Sequence, residues 1–152
     1  MSHLHAPKTT SNGPPFSSDR VVLRASAVVT TAYVTTAIDD AVALGWQFAI
    51  FRVHLSSGDA TSFEFKAQTS ADNGVTWDDV VFKDTPASGV APIAADQMRF
   101  TPAAPSTAYN FALPPCDVVG SPLVRLLPKY TGGTGTGVVE VSVSFGNLPT
   151  VG

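Results

Sequence analysis

Phe63, Phe65 and Ala67 alternate with Glu64, Lys66 and Gln68, and Val139, Val141, Val143 and Phe145 alternate with Glu140, Ser142 and Ser144. A two-residue period of this kind belongs to strands with one buried face. From Val21 onward, short runs rich in Val, Thr and aromatics are separated by turn residues, as in a sandwich or barrel. The runs predict strands over Arg20 to Val29, Ala32 to Ala37 and Trp46 to Leu55, and a single helical turn over Ile38 to Ala43. Next comes an antiparallel hairpin in which Phe63 to Gln68 pairs with Trp77 to Lys83, then a run from Ala108 to Leu113 that stops at Pro114-Pro115. The last predicted pair is Leu123 to Tyr130 with Val138 to Phe145, joined through the glycine-rich stretch 131–137 as a flexible hairpin connection. No window of a dozen residues keeps the helical period, and no internal repeat is visible.

Prolines mark two segments as irregular. Thr85 to Pro105 carries Pro86, Gly89, Pro92, Pro102 and Pro105, so it hosts at most a short strand around Met98 to Thr101. Long excursions of this type commonly carry contacts to partners. Met1 to Asp19 holds Pro7, Gly13, Pro14 and Pro15 in a Ser/Thr-rich spacer with no apolar periodicity, which reads as an extended arm. The expected fold is therefore all-β: a single antiparallel β-sandwich, jelly-roll-like, over residues 20–152, preceded by an extended N-terminal arm over residues 1–19.

Composition narrows the functions this fold can serve. The sole cysteine, Cys116, excludes an internal disulfide and a multi-cysteine zinc site. Charged residues make up 14 % of the chain, against about a quarter in ordinary soluble domains. The surface is then rich in Ser, Thr, Ala and Gly and repels neighbours weakly, which suits packing into an assembly. A net charge of −3 with no basic run argues against nucleic acid as a partner. Met1 to Thr10 lacks the apolar core of a signal peptide, and no stretch approaches the roughly 20 apolar residues of a membrane span. Neither export nor a membrane partner is expected.

One local signature stands out, Ser70-Ala71-Asp72-Asn73-Gly74-Val75-Thr76-Trp77. Asp72 can accept hydrogen bonds from amides of its own turn, Gly74 can take a positive φ, and Trp77 can cover the turn from its apolar side. The segment resembles the Asp-box of sialidases and other β-propeller proteins, with Ser70, Asp72, Gly74, Thr76 and Trp77 at matching positions. In that family the element builds a hairpin turn away from the catalytic residues and recurs several times. Here it occurs once, in a chain too short for a propeller. The functional alternative is a loop that binds sugar or a cation through Asp72, Asn73, Asp78 and Asp79.

A second resemblance covers about half the chain. The order Phe63 to Gln68, the turn at Ser70 to Trp77, Val80 to Phe82, Val124-Arg125-Leu126, Gly132 to Gly137 and Val139 to Phe145 is similar to small β-sandwich virion proteins of tailed phages. It implies a capsid decoration or cement protein that stabilises the shell by binding across subunits of the major capsid protein. It further implies a homotrimer, made in the host cytoplasm and located on the capsid surface of the virion. The contacts expected on that basis are Pro7, Pro14, Pro15 and Phe16 in the arm and Pro92, Met98 and Phe100 in the excursion. The alternative function is a carbohydrate-binding module of a phage tail or baseplate, with Trp46 and Trp77 as an exposed sugar platform.

Candidate chemistry is sparse, and the chain is expected to be neither an enzyme nor a cofactor binder. His3 and His5 have no evident third donor for a metal, and His54 shares a strand face with Arg52, an arrangement more typical of a rim than of an active site. Asp39-Asp40 and Asp78-Asp79 read as turn carboxylates, because neighbouring strand residues point to opposite faces. Cys116 has no histidine at a familiar spacing and reads as an inert thiol. The loop Gly132 to Gly137 lacks the Lys-Ser/Thr of a phosphate-binding loop and leads into a strand rather than a helix.

Overall fold

The two alternating runs become central strands of two facing sheets. A computed structural model describes residues 4, 8–9, 17–18, 20–35, 38–83 and 90–147. The strands are β1 (Lys8–Thr9), β2 (Ser17–Ser18), β3 (Val21–Val28), β4 (Ala41–Val42), β5 (Phe48–Ser56), β6 (Ser62–Ser70) and β7 (Asp78–Asp79). They continue with β8 (Val90–Ala94), β9 (Gln97–Phe100), β10 (Ala108–Ala112), β11 (Cys116–Asp117), β12 (Leu123–Thr131) and β13 (Val138–Gly146). One sheet has the order β1-β2-β13-β5-β10, with β3 also on β13 and β11 also on β5; the other has the order β4-β12-β6-β9-β8, with β7 also on β6. The protein is all-β, with two antiparallel sheets packed as a sandwich.

Alternation decides what fills the space between them. Phe51, Val53 and Leu55 of β5 and Val139, Val141 and Val143 of β13 meet Phe63 and Phe65 of β6 and Val124 and Leu126 of β12. All of these are almost fully buried. Trp46 joins the same core, stacked on Phe145 with ring centroids 6.0 Å apart.

Several expected pairings are replaced. Leu123–Thr131 and Val138–Gly146 do not form a hairpin: β12 pairs with β6 across nine residues, and β13 pairs with β5 in the opposite sheet. Their glycine-rich connection crosses the sandwich and is pinned by the Asp59 carboxylate, which accepts hydrogen bonds from the amides of Thr134 (2.6 Å) and Thr136 (3.2 Å) and from both hydroxyls. Gly133 has φ +84°, and a Cβ there would lie 2.2 Å from the Asp59 carbonyl oxygen, so the crossing requires glycine.

The return strand after the Asp72 turn is also shorter than predicted. Asp78 and Asp79 pair with β6 and the Val80 amide donates to the Ala67 carbonyl (2.9 Å), after which Phe82 bridges to Cys116 in the other sheet and β9 takes over the edge of β6 at Phe63 to Lys66. Burial of Phe82 in the core draws the chain across. Ile38 to Ala43 forms no helical turn; Ala41–Val42 is an edge strand on β12. Residues 31–35 form no strand, and 36–37 lie outside the described residues.

The proline-rich excursion contains a hairpin, β8–β9, in which Pro92 faces Met98. Proline is tolerated there because β8 is the outermost strand and its missing N–H breaks no further ladder. Of the arm, Leu4 bridges in parallel to Ala41 and Ser17 pairs with Gly146, so these points join the chain's own sheets.

Candidate binding surfaces

Three turns gather at one end of the sandwich: residues 43–46, 71–77 and 118–121. The first is closed by a hydrogen bond from the Trp46 amide to the Ala43 carbonyl, the third by one from Ser121 to Val118, each 3.0 Å. Gly45 (φ +90°) and Gly120 (φ +77°) occupy the third position of their turns, the signature of a type II turn. The second position is then an apex, and it carries Leu44, 64 % exposed, and Val119, 66 % exposed.

Buried neighbours hold these apices rigidly. Ala43, Trp46 and Val118 belong to the core, and the two turns are tied together by bonds from Ala43 N to Pro122 O (2.8 Å) and from Val118 N to Gln47 O (3.0 Å). The middle turn seats Gly74 against Leu123, Trp77 and Asp40 and lifts Val75 to 81 % exposure.

That middle turn is built by Asp72. Its carboxylate accepts from the Thr76 amide (2.8 Å), the Thr76 hydroxyl and the Ser70 hydroxyl (2.9 Å), while Ser70 Oγ accepts from the Gly74 amide (2.8 Å). Both carboxylate oxygens are thus engaged within the turn. Asp79 is likewise engaged, by Gln68 (3.0 Å) and Lys66 (3.2 Å). Trp77 presents a face to the Arg125 guanidinium at 4.0 Å, and Arg125 donates twice to Gln68 Oε1.

Hydrogen bonds from Thr76 bring the Asp72 carboxyl down to about 2. A depressed carboxyl adds stability that is complete above its unfolded value near 4 and is lost as pH falls through the folded value. Asp72→Asn is therefore expected to melt below the parent at neutral pH. The two melting curves should converge between about pH 4 and 2; a gap that stays constant across that range would contradict the carboxylate's role.

A cleft of about 400 Å³ adjoins this end, lined by Gln47, Phe48, Lys83, Pro115, Cys116, Asp117 and Val119. Burial pushes the Cys116 thiol up to about 12, which leaves it without nucleophilic character at neutral pH. Lys83 and Asp117 pair at 3.0 Å on the cleft wall.

A second groove, of about 360 Å³, lies on the outer face of the sheet containing β5 and β13, and Arg20, Arg52, His54, Asn110, Glu140 and Ser142 line it. Register explains the grouping: Asn110, His54 and Glu140 sit side by side on β10, β5 and β13, and Arg52 and Ser142 form the next row. Sequence reading finds only the Arg52–His54 part of this face, because the rest comes from strands distant in the chain.

Other predicted contacts fall differently. Met98 and Phe100 are 3 % and 5 % exposed and belong to the core, so they are not surface contacts; they occupy the inward positions of β9. Pro92 is exposed on the edge strand. Pro7, Pro14, Pro15, Phe16, His3 and His5 lie outside the described residues. Sequence reading also misses Glu64, whose buried carboxylate takes Arg99 at 2.8 Å and Lys129 at 3.0 Å from the strands on either side. Among the described residues, no group of three or more His, Cys, Asp or Glu side chains could hold a metal, and no helix is long and apolar enough to cross a membrane.

No protein-family model matches this chain, and no curated protein is significantly similar to it. Among solved structures, the crystal structure of the SPBc2 prophage-derived protein YomS is similar, with 15 % identity, a TM-score of 0.49, and coverage of 91 % of this chain and 100 % of that one.

Proposed function

We propose that this chain is a non-catalytic virion structural protein that decorates and stabilises a tailed-phage capsid by binding across subunits of the major capsid protein. The observation that carries the reading is the end of the sandwich where Leu44, Val75 and Val119 project from three braced turns beside an open cleft. Aliphatic apices held by a rigid scaffold lose little conformational freedom on docking, so apolar burial there converts into affinity with a small ordering cost. The low overall charge and the resemblance of the strand and turn order to small virion proteins support the same reading. A trimeric arrangement places three such ends around one local axis of a shell.

The sugar platform expected of a carbohydrate module finds no support in the tryptophans. Trp46 is 4 % exposed, and Arg125 covers a face of Trp77. Sedimenting the purified chain with capsids of the phage that encodes it tests the proposal: saturable association at a fixed number of copies per capsid subunit is expected. A chain that stays in the supernatant at micromolar concentration would reject it.

A further inference from the structure

Five arginines occur in the chain, and three are engaged by protein groups. Arg24 donates to the carbonyls of Ala27, Val28 and Val139, Arg99 pairs with Glu64, and Arg125 holds Gln68. Arg20 and Arg52 have no ion-pair partner among the described residues, where ion pairs engage Lys66, Lys83, Arg99 and Lys129. Both are exposed, and both line the groove on the outer face of the β5–β13 sheet. In a chain of net charge −3, two guanidiniums that line one concavity of the sheet without an ion-pair partner among the described residues are suited to clamp an anion.

The remaining lining specifies which anion. Asn110 Oδ1 accepts a hydrogen bond from His54 Nδ1, which fixes the ring, and with the single ring proton on Nδ1 the Nε2 atom is an acceptor. Glu140 sits next to His54 in register and supplies carboxylate acceptors, and Ser142 lies beside Arg52. A groove with a guanidinium pair on one part and Glu140, His54 and Asn110 on another suits a ligand that carries one carboxylate and several hydroxyls. Hydroxyls donate to Glu140 and His54, whereas a dianionic phosphate would meet repulsion from Glu140. The volume of about 360 Å³ falls at the small end of ligand sites, the scale of one sugar unit.

We propose that this groove is a binding site for an acidic sugar unit, its carboxylate held by Arg20 and Arg52 and its hydroxyls by His54, Asn110 and Glu140. The assignment is independent of the capsid reading and uses a different surface from the three turns. It requires no aromatic platform, because recognition is by charge and hydrogen bonding rather than by stacking.

The test is a titration of the full chain, followed by backbone amide NMR, with D-glucuronate, D-glucose, glutarate and inorganic phosphate as separate probes. Glucuronate should give saturable shifts at Arg52 to His54 and Glu140 to Ser142, with glucose, glutarate and phosphate each binding at least about tenfold more weakly. The Arg20→Ala/Arg52→Ala double variant should bind glucuronate about 10- to 100-fold more weakly while keeping the parent melting temperature, since both side chains are exposed. Absence of saturable shifts, or unchanged affinity in the double variant, would overturn the site. Phosphate or glutarate binding as tightly as glucuronate would overturn the sugar assignment.

Discussion

Phe100→Ala is expected to lower the free energy of unfolding by about 3–5 kcal/mol, the range for removing a buried aromatic side chain. The ring is stacked on Phe111 at 4.3 Å between centroids and meets Tyr109 edge-on at 5.0 Å. It therefore joins β9 of one sheet to β10 of the other, and the cavity left by alanine opens between the sheets, where neither backbone can close it readily. For a domain of this length, each kcal/mol shifts the melting midpoint by roughly 2–4 °C, so the loss should be visible in a simple thermal melt. Pro92→Ala, at an exposed position on the outer strand, should change stability by no more than about 0.5 kcal/mol. Urea denaturation of the two variants checks both values. Similar small effects in both would mean that Phe100 lies at the surface.

The contrast between these positions shows what the sequence made legible. Alternation in Phe63 to Gln68 and Val139 to Phe145 identifies strands and their buried faces, because a period of two depends only on local backbone geometry. It does not say which strands become neighbours. Leu123 to Thr131 and Val138 to Gly146 look like a hairpin since six loop residues join them, yet the contacts that separate them, from Asp59 to Thr134 and Thr136, come from a loop some 75 residues earlier. Met98 and Phe100 carry the two-residue spacing of an inward face, but four residues of strand between prolines give the pattern too little length to be read.

The candidate surfaces divide in the same way. Ala43-Leu44-Gly45-Trp46 and Val118-Val119-Gly120-Ser121 both place an aliphatic residue before a glycine, which is a readable turn signal. That the two turns lie side by side follows only from the register of β4 and β11 with their neighbours. The groove beside Arg52 is similarly non-local, assembled from β5, β10 and β13 and from Arg20 at the approach to β3.

The second large effect concerns partner binding. The triple variant Leu44→Asp, Val75→Asp, Val119→Asp puts three carboxylates on the apices that the proposed docking buries. Each substitution removes an apolar contact and buries a charge with no partner supplied for it. The combined loss should exceed about 4 kcal/mol, or roughly a thousandfold in affinity. Stability should change little, since all three side chains are mostly exposed and the turns are closed by backbone bonds and by Asp72 and Ser70 rather than by the apices.

Capsid occupancy of this triple variant, measured by cosedimentation against the parent chain at equal concentration, tests the docking assignment most directly. Occupancy below detection is expected, together with an unfolding midpoint matching that of the parent. Parental occupancy by a folded triple variant would contradict it and move the contact to another face of the sandwich.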